Sequence, residues 1–184
     1  MYRIANDARV QDSADRILSG LERCLEAKPL HDVTVSAIAA AAGVSRATFY
    51  RLFDTTADVL QYYSDRTIKS ACESIVLSDG QSVKDSVLAS FRALMKHPLL
   101  LDAIFTTSRL DIIYRSYLDH ELALKGRIAQ IVPLDRIQMD YLIYMTNALL
   151  AAALQVWYRH GKQESCEYIY RLIQTECTLI TEIL

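Results

Sequence analysis

Apolar residues recur at intervals of three and four along most of the chain, which is the spacing that places them on one face of an α-helix. The clearest early stretch covers residues 13–27, and Pro29 ends it because proline disfavours helical backbone at the preceding residue, Lys28. Similar stretches predict later helices over residues 83–96, 99–107, 110–131, 136–159 and 165–183. No segment sustains the period of two that marks a strand, so the pattern predicts an all-α fold of about nine helices, with a small N-terminal head and a larger C-terminal body.

Two short helices joined by a tight turn are predicted between residues 34 and 53. Thr34 is placed to cap a helix over Val35–Ala42, and Gly43 follows as the residue expected where a helix stops in a left-handed turn. Ser45 then caps a second helix over residues 46–53. A Gly-containing turn between two short helices is typical of a helix-turn-helix, although it also occurs in ordinary helical hairpins.

The second of these helices separates its side chains into two faces. At about 100° per residue, Phe49 and Phe53 share one face with Leu52, and this face is aromatic and aliphatic. The other side carries Ala47, Thr48, Tyr50 and Arg51. An arginine can pair with guanine or phosphate, hydroxyl groups can bond phosphates, and an alanine methyl can pack on thymine. The exposed set therefore suits a DNA groove.

The composition adds a folded core and a local positive surface. Of the 184 residues, 52% are hydrophobic and 23% are charged, and only 5 Gly and 3 Pro interrupt the helical pattern. The net charge of −2 excludes a protein whose whole surface is basic. Residues 33–53 nevertheless contain Arg46 and Arg51 and no acidic residue. Such a surface on a nearly neutral protein is compatible with docking on one kind of DNA site.

Targeting and metal-binding patterns are missing from the sequence. No run of about 18 apolar residues predicts a membrane span, and residues 1–12 lack the apolar region of a signal peptide. We therefore expect a cytoplasmic protein. Its four cysteines are scattered, which favours small buried residues over a metal site or a disulfide.

Residues 34–53 resemble the helix-turn-helix of the tetracycline-repressor (TetR) family of bacterial regulators. The resemblance is carried by Thr34-Val35, Ile38-Ala39, Ala42-Gly43-Val44-Ser45 and the continuous stretch from Arg46 to Phe53. Residues 25–30 and Asp58-Val59-Leu60 agree with the family's spacing, so the likeness covers about the first third of the chain. It implies a DNA-binding domain over residues 1–56 and an effector-binding and dimerisation domain over residues 57–184. The implied function is a transcriptional regulator, usually a repressor, that binds a palindromic operator as a homodimer.

The resemblance also implies which residues meet DNA. They are Thr34, Ser36, Ser45, Arg46, Ala47, Thr48, Tyr50, Arg51, Thr55 and Thr56. Thr55 and Asp58 form a Thr-x-x-Asp capping pattern that opens a fourth helix over residues 57–75. One departure matters, because many relatives carry a phosphate-binding lysine at the position of Thr56. We expect the backbone contact there to be weaker in this chain.

The C-terminal body is expected to hold the dimer interface and an effector site. The helices over residues 136–159 and 165–183 carry more apolar surface than a peripheral hairpin needs, although an internal core alone would also use it. The predicted interface residues are Leu149, Ala152, Val156, Tyr168, Leu172 and Ile180. Residues that could line an effector pocket, although each of them also fits the core or the surface, are Phe105, Thr106, Tyr114, Tyr117, Tyr144 and Asn147. The effector implied by the family is a small molecule or a protein partner.

Two competing classes of function remain. The four histidines are isolated, and no nucleophile, phosphate-binding or dinucleotide-binding motif is present, so we expect neither an enzyme nor a bound cofactor or metal. The second alternative is a helical coactivator or adaptor that acts through protein–protein contact. The intact basic helix over residues 46–53 argues against this alternative, and the missing lysine at Thr56 argues weakly for it.

Overall fold

The computed structural model describes residues 2–4, 7–76, 83–119, 125–126, 128–129 and 133–183, and the regular elements in these ranges are all helical. They are nine α-helices and one short 3₁₀ turn, η1, at Leu30–Asp32. The α-helices are α1 (Ala8–Ala27), α2 (Val35–Ala42), α3 (Arg46–Leu52), α4 (Thr56–Val76), α5 (Val83–Met95), α6 (Pro98–Thr106), α7 (Leu110–Asp119), α8 (Arg136–Arg159) and α9 (Cys166–Ile183). The predicted all-α class is confirmed.

The first helix begins five residues before the predicted start. Asp7 caps α1 by accepting hydrogen bonds from the backbone N–H groups of Arg9 and Val10, at 2.8 and 3.3 Å. Most of the first-turn side chains are exposed, so they carry no apolar periodicity that the sequence pattern could detect. The predicted helix over residues 110–131 is described as α7 up to Asp119, and most of its remainder lies outside the described residues.

The chain divides into two compact units. The first unit comprises Met1–Arg66 and His97–Ile112, so α6 joins the N-terminal helices although it follows them by thirty residues. Its core consists of fully buried side chains from α1, α2, α3, α4 and α6, among them Ile17, Leu21, Ile38, Phe49, Leu60, Leu100 and Ile104. The proposed functional boundary after residue 56 stays a prediction, because compactness alone does not assign a function to either part.

The second unit comprises Thr67–Lys96 and Ile113–Leu184. Here α9 packs on α5, where Arg92 forms an ion pair with Glu167 and the Cys166 thiol donates to the Leu88 carbonyl at 3.6 Å. The indole N–H of Trp157 donates to the Glu164 carbonyl at 3.0 Å and closes the joint between α8 and α9. No helix among the described residues is long and apolar enough to cross a membrane.

Candidate nucleic-acid interface

The turn between α2 and α3 is built by local hydrogen bonds. Thr34 accepts from the Ala37 N–H at 3.1 Å, and Ser45 accepts from the Thr48 N–H at 3.0 Å, so both predicted N-caps are confirmed. Gly43 has φ = 63°, the left-handed conformation that ends α2. A side chain at Gly43 would be strained there, which explains why the sequence has glycine at this position.

Helix α1 fixes α2 from behind. A Cβ atom on Gly20 would lie 2.7 Å from the Ile38 carbonyl oxygen, so only glycine allows the two helices to approach this closely. The guanidinium of Arg16 donates to the Gly43 carbonyl at 2.7 Å, and Arg23 donates to the Ala41 carbonyl. Both arginines thus satisfy carbonyl groups at the C-terminus of α2, where the helix dipole also favours positive charge.

The inward face of α3 is anchored by aromatic packing. Phe49 and Phe53 are fully buried, Leu52 is 2% exposed, and the two phenyl rings lie 5.8 Å apart between centroids. Phe53 also contacts Tyr62 of α4, with ring centroids 5.7 Å apart. The predicted burial of Phe49 and Phe53 is confirmed, and it orients the rest of α3.

The outward face of α3 carries the side chains with DNA-binding chemistry. Arg46, Ala47, Tyr50 and Arg51 are all exposed. The Arg46 guanidinium carbon lies 5.8 Å from the centre of the Tyr50 ring, a cation–π distance that presents the two side chains together. Arg51 forms no ion pair or hydrogen bond among the described residues, so its charge faces solvent. This face combines two cations, a phenol and a methyl group.

Helices α2 and α4 place further hydroxyl groups at their N-termini. Thr34 and Ser36 are exposed at the start of α2. Thr55 is exposed directly before α4. Its N–H donates to the Asp58 carboxylate at 2.9 Å, and its hydroxyl oxygen accepts from the Asp58 N–H at 3.2 Å. This reciprocal pair confirms the predicted cap, while Thr56 is half-buried in the first turn.

The hydroxyl groups of Ser45 and Thr48 are already engaged with each other. Their oxygen atoms lie 3.0 Å apart, and Thr48 is half-buried while Ser45 is exposed. Both residues therefore hold the start of α3 in place. A DNA contact from either hydroxyl would be made in addition to this cap.

Sequence reasoning missed the segment formed by residues 2–4. The Arg3 N–H donates to the Leu52 carbonyl at 2.8 Å, and the Arg3 guanidinium binds Asp54 at 2.9 Å. The Tyr2 ring contacts Phe53 and Tyr62, and its hydroxyl donates to the buried carboxylate of Asp65 at 2.6 Å. Since all of these partners are distant in the sequence, up to 63 positions away for Tyr2 and Asp65, no local pattern could have revealed the contacts.

Helix α4 is tied to α1 and α6 within the first unit. The Tyr62 hydroxyl donates to Asp15 at 3.0 Å, and Arg66 forms an ion pair with the same carboxylate. Burial, together with this hydrogen bond, raises the pKa of Tyr62 to about 12. The Tyr63 hydroxyl lies 2.9 Å from Nδ1 of His97, the residue before α6. The N-terminal half of α4 is thus bonded to α1 through Asp15 and to the start of α6 through His97.

The residues predicted for the effector pocket are divided between the units. Phe105 belongs to the first unit and is half-buried. Tyr114, Tyr117, Tyr144 and Asn147 belong to the second, where the rings of Tyr114 and Tyr144 lie 6.0 Å apart. Tyr144 also lines a cleft of ≈ 350 Å³ with Lys125, Arg136, Met139 and Asp140, and Lys125 forms an ion pair with Asp140 at 2.9 Å.

The residues predicted for the dimer interface lie on α8 and α9. Leu149, Ala152, Val156 and Leu172 line an apolar groove of ≈ 290 Å³ between these helices. Val156, Tyr168 and Leu172 are 53%, 45% and 43% exposed, which is high for such apolar side chains. The side chain of Ile180 lies outside the described residues. Whether this face binds a second copy stays a prediction.

Comparison with known proteins points to one family of regulators. Residues 17–63 match the family described as bacterial regulatory proteins, tetR family. Two uncharacterized HTH-type transcriptional regulators of Mycobacterium tuberculosis are each 32% identical over 107 residues, which cover 55% of this chain and 52% of theirs. The chain therefore spans about half the length of the curated relatives it matches.

Solved structures share the helical fold at low sequence identity. The dihydroxyacetone kinase operon activator DhaS is 15% identical, with a TM-score of 0.63 over 94% of this chain and 97% of its own. A tetR-family transcriptional regulator from Streptomyces coelicolor is 14% identical, with a TM-score of 0.62 over 93% of this chain and 82% of its own. The fatty acid degradation regulator FadR from Bacillus halodurans is 16% identical, with a TM-score of 0.57 over 87% of this chain and 93% of its own.

Proposed function

We propose, because residues 17–63 match the tetR family of bacterial regulatory proteins, that the chain is a transcriptional regulator that binds palindromic DNA as a homodimer. One observation carries the proposal: α3 turns Arg46, Tyr50 and Arg51 outward while Phe49 and Phe53 anchor it from within. A rigid helix with an exposed basic face can enter a major groove with its side chains already oriented.

The roles of the individual residues follow from their chemistry. Arg51 and Arg46 would contact guanine edges or phosphates, and the small Ala47 would let the α3 backbone approach the base edges. Backbone N–H groups at the start of α2, beside Thr34 and Ser36, would meet a phosphate, because a helix N-terminus favours negative charge. At the start of α4 the backbone N–H of Thr56 would do the same, whereas the N–H and hydroxyl of Thr55 already bond Asp58, so a DNA contact from Thr55 would be made in addition to this cap.

A continuous apolar stripe supports the homodimer. Its members succeed one another at steps of three and four along the exposed side of α8: Ile137, Tyr141, Met145, Ala148, Ala152 and Val156. Such a stripe extends over about 28 Å at 1.5 Å per residue. Monomeric proteins rarely leave a long apolar surface in water, and a two-fold interface would cover it with the same surface of a second copy.

An effector would regulate DNA binding by preferring one arrangement of the two DNA-binding heads. The cleft lined by Lys125, Arg136 and Tyr144 has a volume in the range of small-molecule sites. Lys125 is paired with Asp140 in this lining, and the positive charge of Arg136 would favour an anionic compound. A ligand that binds both arrangements with equal affinity would leave DNA binding unchanged. The change in DNA affinity caused by a ligand therefore reflects the difference between its affinities for the two arrangements.

A gel-shift and reporter experiment tests the proposal. Genomic fragments that include the promoter beside the encoding gene are mixed with the full chain, and bound fragments are searched for an inverted repeat. We expect one or more retarded fragments, and reduced expression of a reporter placed behind them, because the bound dimer occludes the promoter. Failure of every fragment to shift would favour the coactivator or adaptor function, and increased expression would overturn the repressor assignment alone.

A further inference from the structure

The segment at residues 2–4 is fixed against the C-terminal end of α3 by both its backbone and its side chains. Tyr2 inserts its ring between Phe53 and Tyr62, with centroid distances of 6.2 and 5.4 Å, and its hydroxyl bonds the buried Asp65. The next residue donates its N–H to the last carbonyl of α3, at Leu52. The Cα atom of that residue, Arg3, is therefore held in a fixed place relative to α3.

The side chain so positioned is an exposed cation beside the C-terminal end of α3. Arg3 is 60% exposed, and only its Nη2 atom is engaged, at 2.9 Å from both carboxylate oxygens of Asp54. No other hydrogen bond of this guanidinium is present among the described residues. A guanidinium has five N–H donors in one plane, so the donors on its other nitrogen atoms remain available for a second anion.

The position of Asp54 relates this cation to the proposed DNA-binding face. Asp54 lies just beyond Phe53, the extended C-cap of α3, and directly before Thr55 and Thr56 at the start of α4, and its side chain is exposed. Arg3 therefore adds a cation where α3 ends and α4 begins, next to the phosphate contact proposed at the start of α4. The carboxylate of Asp54 would be repelled by DNA phosphates unless a cation lies beside it, and Arg3 is that cation.

We propose that Arg3 is a further DNA-contacting residue, which keeps its Nη2 on Asp54 while its remaining N–H donors bind a backbone phosphate. The inference rests on the proposed DNA-binding function and adds a contact outside the helix-turn-helix. Asp54 acts as a positioning residue, because it orients the guanidinium and does not itself meet DNA. A phosphate contact of this kind strengthens binding to any sequence and confers no sequence preference.

The test is the salt dependence of binding to a fluorescein-labelled 30-base-pair duplex of random sequence. Each phosphate neutralised contributes about 0.9 to the slope of log K against log salt concentration. We expect Arg3→Ala to lower the magnitude of this slope by about 0.9 for each head on DNA, and to weaken binding about fivefold per head at 0.15 M salt. Arg3→Lys should retain most of the slope, and Lys96→Ala, an exposed cation of the second unit, should leave it unchanged.

A second pair of variants separates a phosphate contact from simple neutralisation of Asp54. The Asp54→Asn variant removes the charge but keeps an oxygen that can accept from Arg3 Nη2 and hold the guanidinium in place. If Arg3 binds phosphate, adding Arg3→Ala to this variant lowers the slope by the same amount as in the unmodified chain. Loss of the effect in the Asp54→Asn background would overturn the proposal, and so would an unchanged slope for Arg3→Ala. The backbone hydrogen bond to Leu52 survives both substitutions, and an unchanged melting temperature confirms that the head is intact.

The inference and the proposed function can fail separately. If the unmodified chain binds the duplex and Arg51→Ala weakens binding while Arg3→Ala does not, only the inference about Arg3 is overturned. If the unmodified chain does not bind DNA at any salt concentration, both are overturned.

Discussion

Replacing Phe49 and Arg51 by alanine, one at a time, separates the inward face of α3 from its outward face. Phe49 is fully buried, with its ring centroid 5.8 Å from that of Phe53 and 5.7 Å from that of Tyr50. Removing a buried phenyl ring typically lowers the free energy of unfolding by about 3–5 kcal/mol. At about 2–4 °C per kcal/mol for a chain of this size, the melting temperature should fall by roughly 6–20 °C. DNA binding should be lost only because the first unit loosens.

Arg51→Ala should have the opposite effect. Its side chain is exposed, so the free energy of unfolding should change by no more than about 0.5 kcal/mol. If Arg51 reads a base, binding should weaken by about 1–3 kcal/mol per head, or roughly 5- to 140-fold, and the loss should be confined to one operator position. If it binds phosphate, binding to all sequences should weaken, and the salt slope should fall by about 0.9 per head.

The assay pairs thermal unfolding with titration of a labelled duplex at several salt concentrations. Lys96→Ala serves as the matched control, because it removes an exposed cation from the second unit. A Phe49→Ala protein with the same melting temperature as the unmodified chain would show that α3 faces the other way. An Arg51→Ala protein with unaltered affinity and salt slope would refute the assignment of the outward face.

Three further substitutions test the packing, the interface and the electrostatics. Gly20→Ala should lower the free energy of unfolding by about 1–3 kcal/mol in urea titration, because the new Cβ would lie 2.7 Å from a carbonyl oxygen of α2. Gly126→Ala, with open space around it, should show no such loss. Leu172→Glu should convert a dimer to a monomer by light scattering, whereas Gln174→Glu, two residues further along α9, should not. A monomeric unmodified chain would refute the interface. The pKa of Tyr62 is raised from 10.0 to about 12. The stabilisation that its protonated hydroxyl contributes is therefore fully present below pH 10, and the free energy of unfolding should fall as the pH rises to 12. The fall should be smaller in Tyr62→Phe, and equal falls would contradict the shift.

The helix-turn-helix could be predicted from the sequence because its determinants are local. The caps at Thr34, Ser45 and Thr55 each act on a residue three positions away, and Gly43 acts on its own backbone. The two faces of α3 follow from the helical period alone. In each case the residues that cause the structure lie within one or two turns of the place where it forms.

The contacts made by residues 2–4 and by α6 could not be predicted, because they depend on distant parts of the chain. Tyr2 meets Asp65 across sixty-three positions, and His97 meets Tyr63 across thirty-four. Helix α6 belongs to the first compact unit, although thirty residues separate the two sequence segments of that unit. Hydrophobic periodicity indicates that a helix buries one face, but it does not indicate which neighbour covers that face.

Selection from a pool of random DNA tests the central claim most directly, because it requires no knowledge of the operator. The full chain is mixed with random duplexes, and the bound fraction is sequenced over successive rounds. We predict enrichment of an inverted repeat whose half-sites lie about one helical turn apart, or a multiple of it, as two-fold symmetry demands. Under the same conditions Arg51→Ala should lose enrichment or relax it at one position of each half-site. A pool that remains random after selection with the unmodified chain would contradict the account.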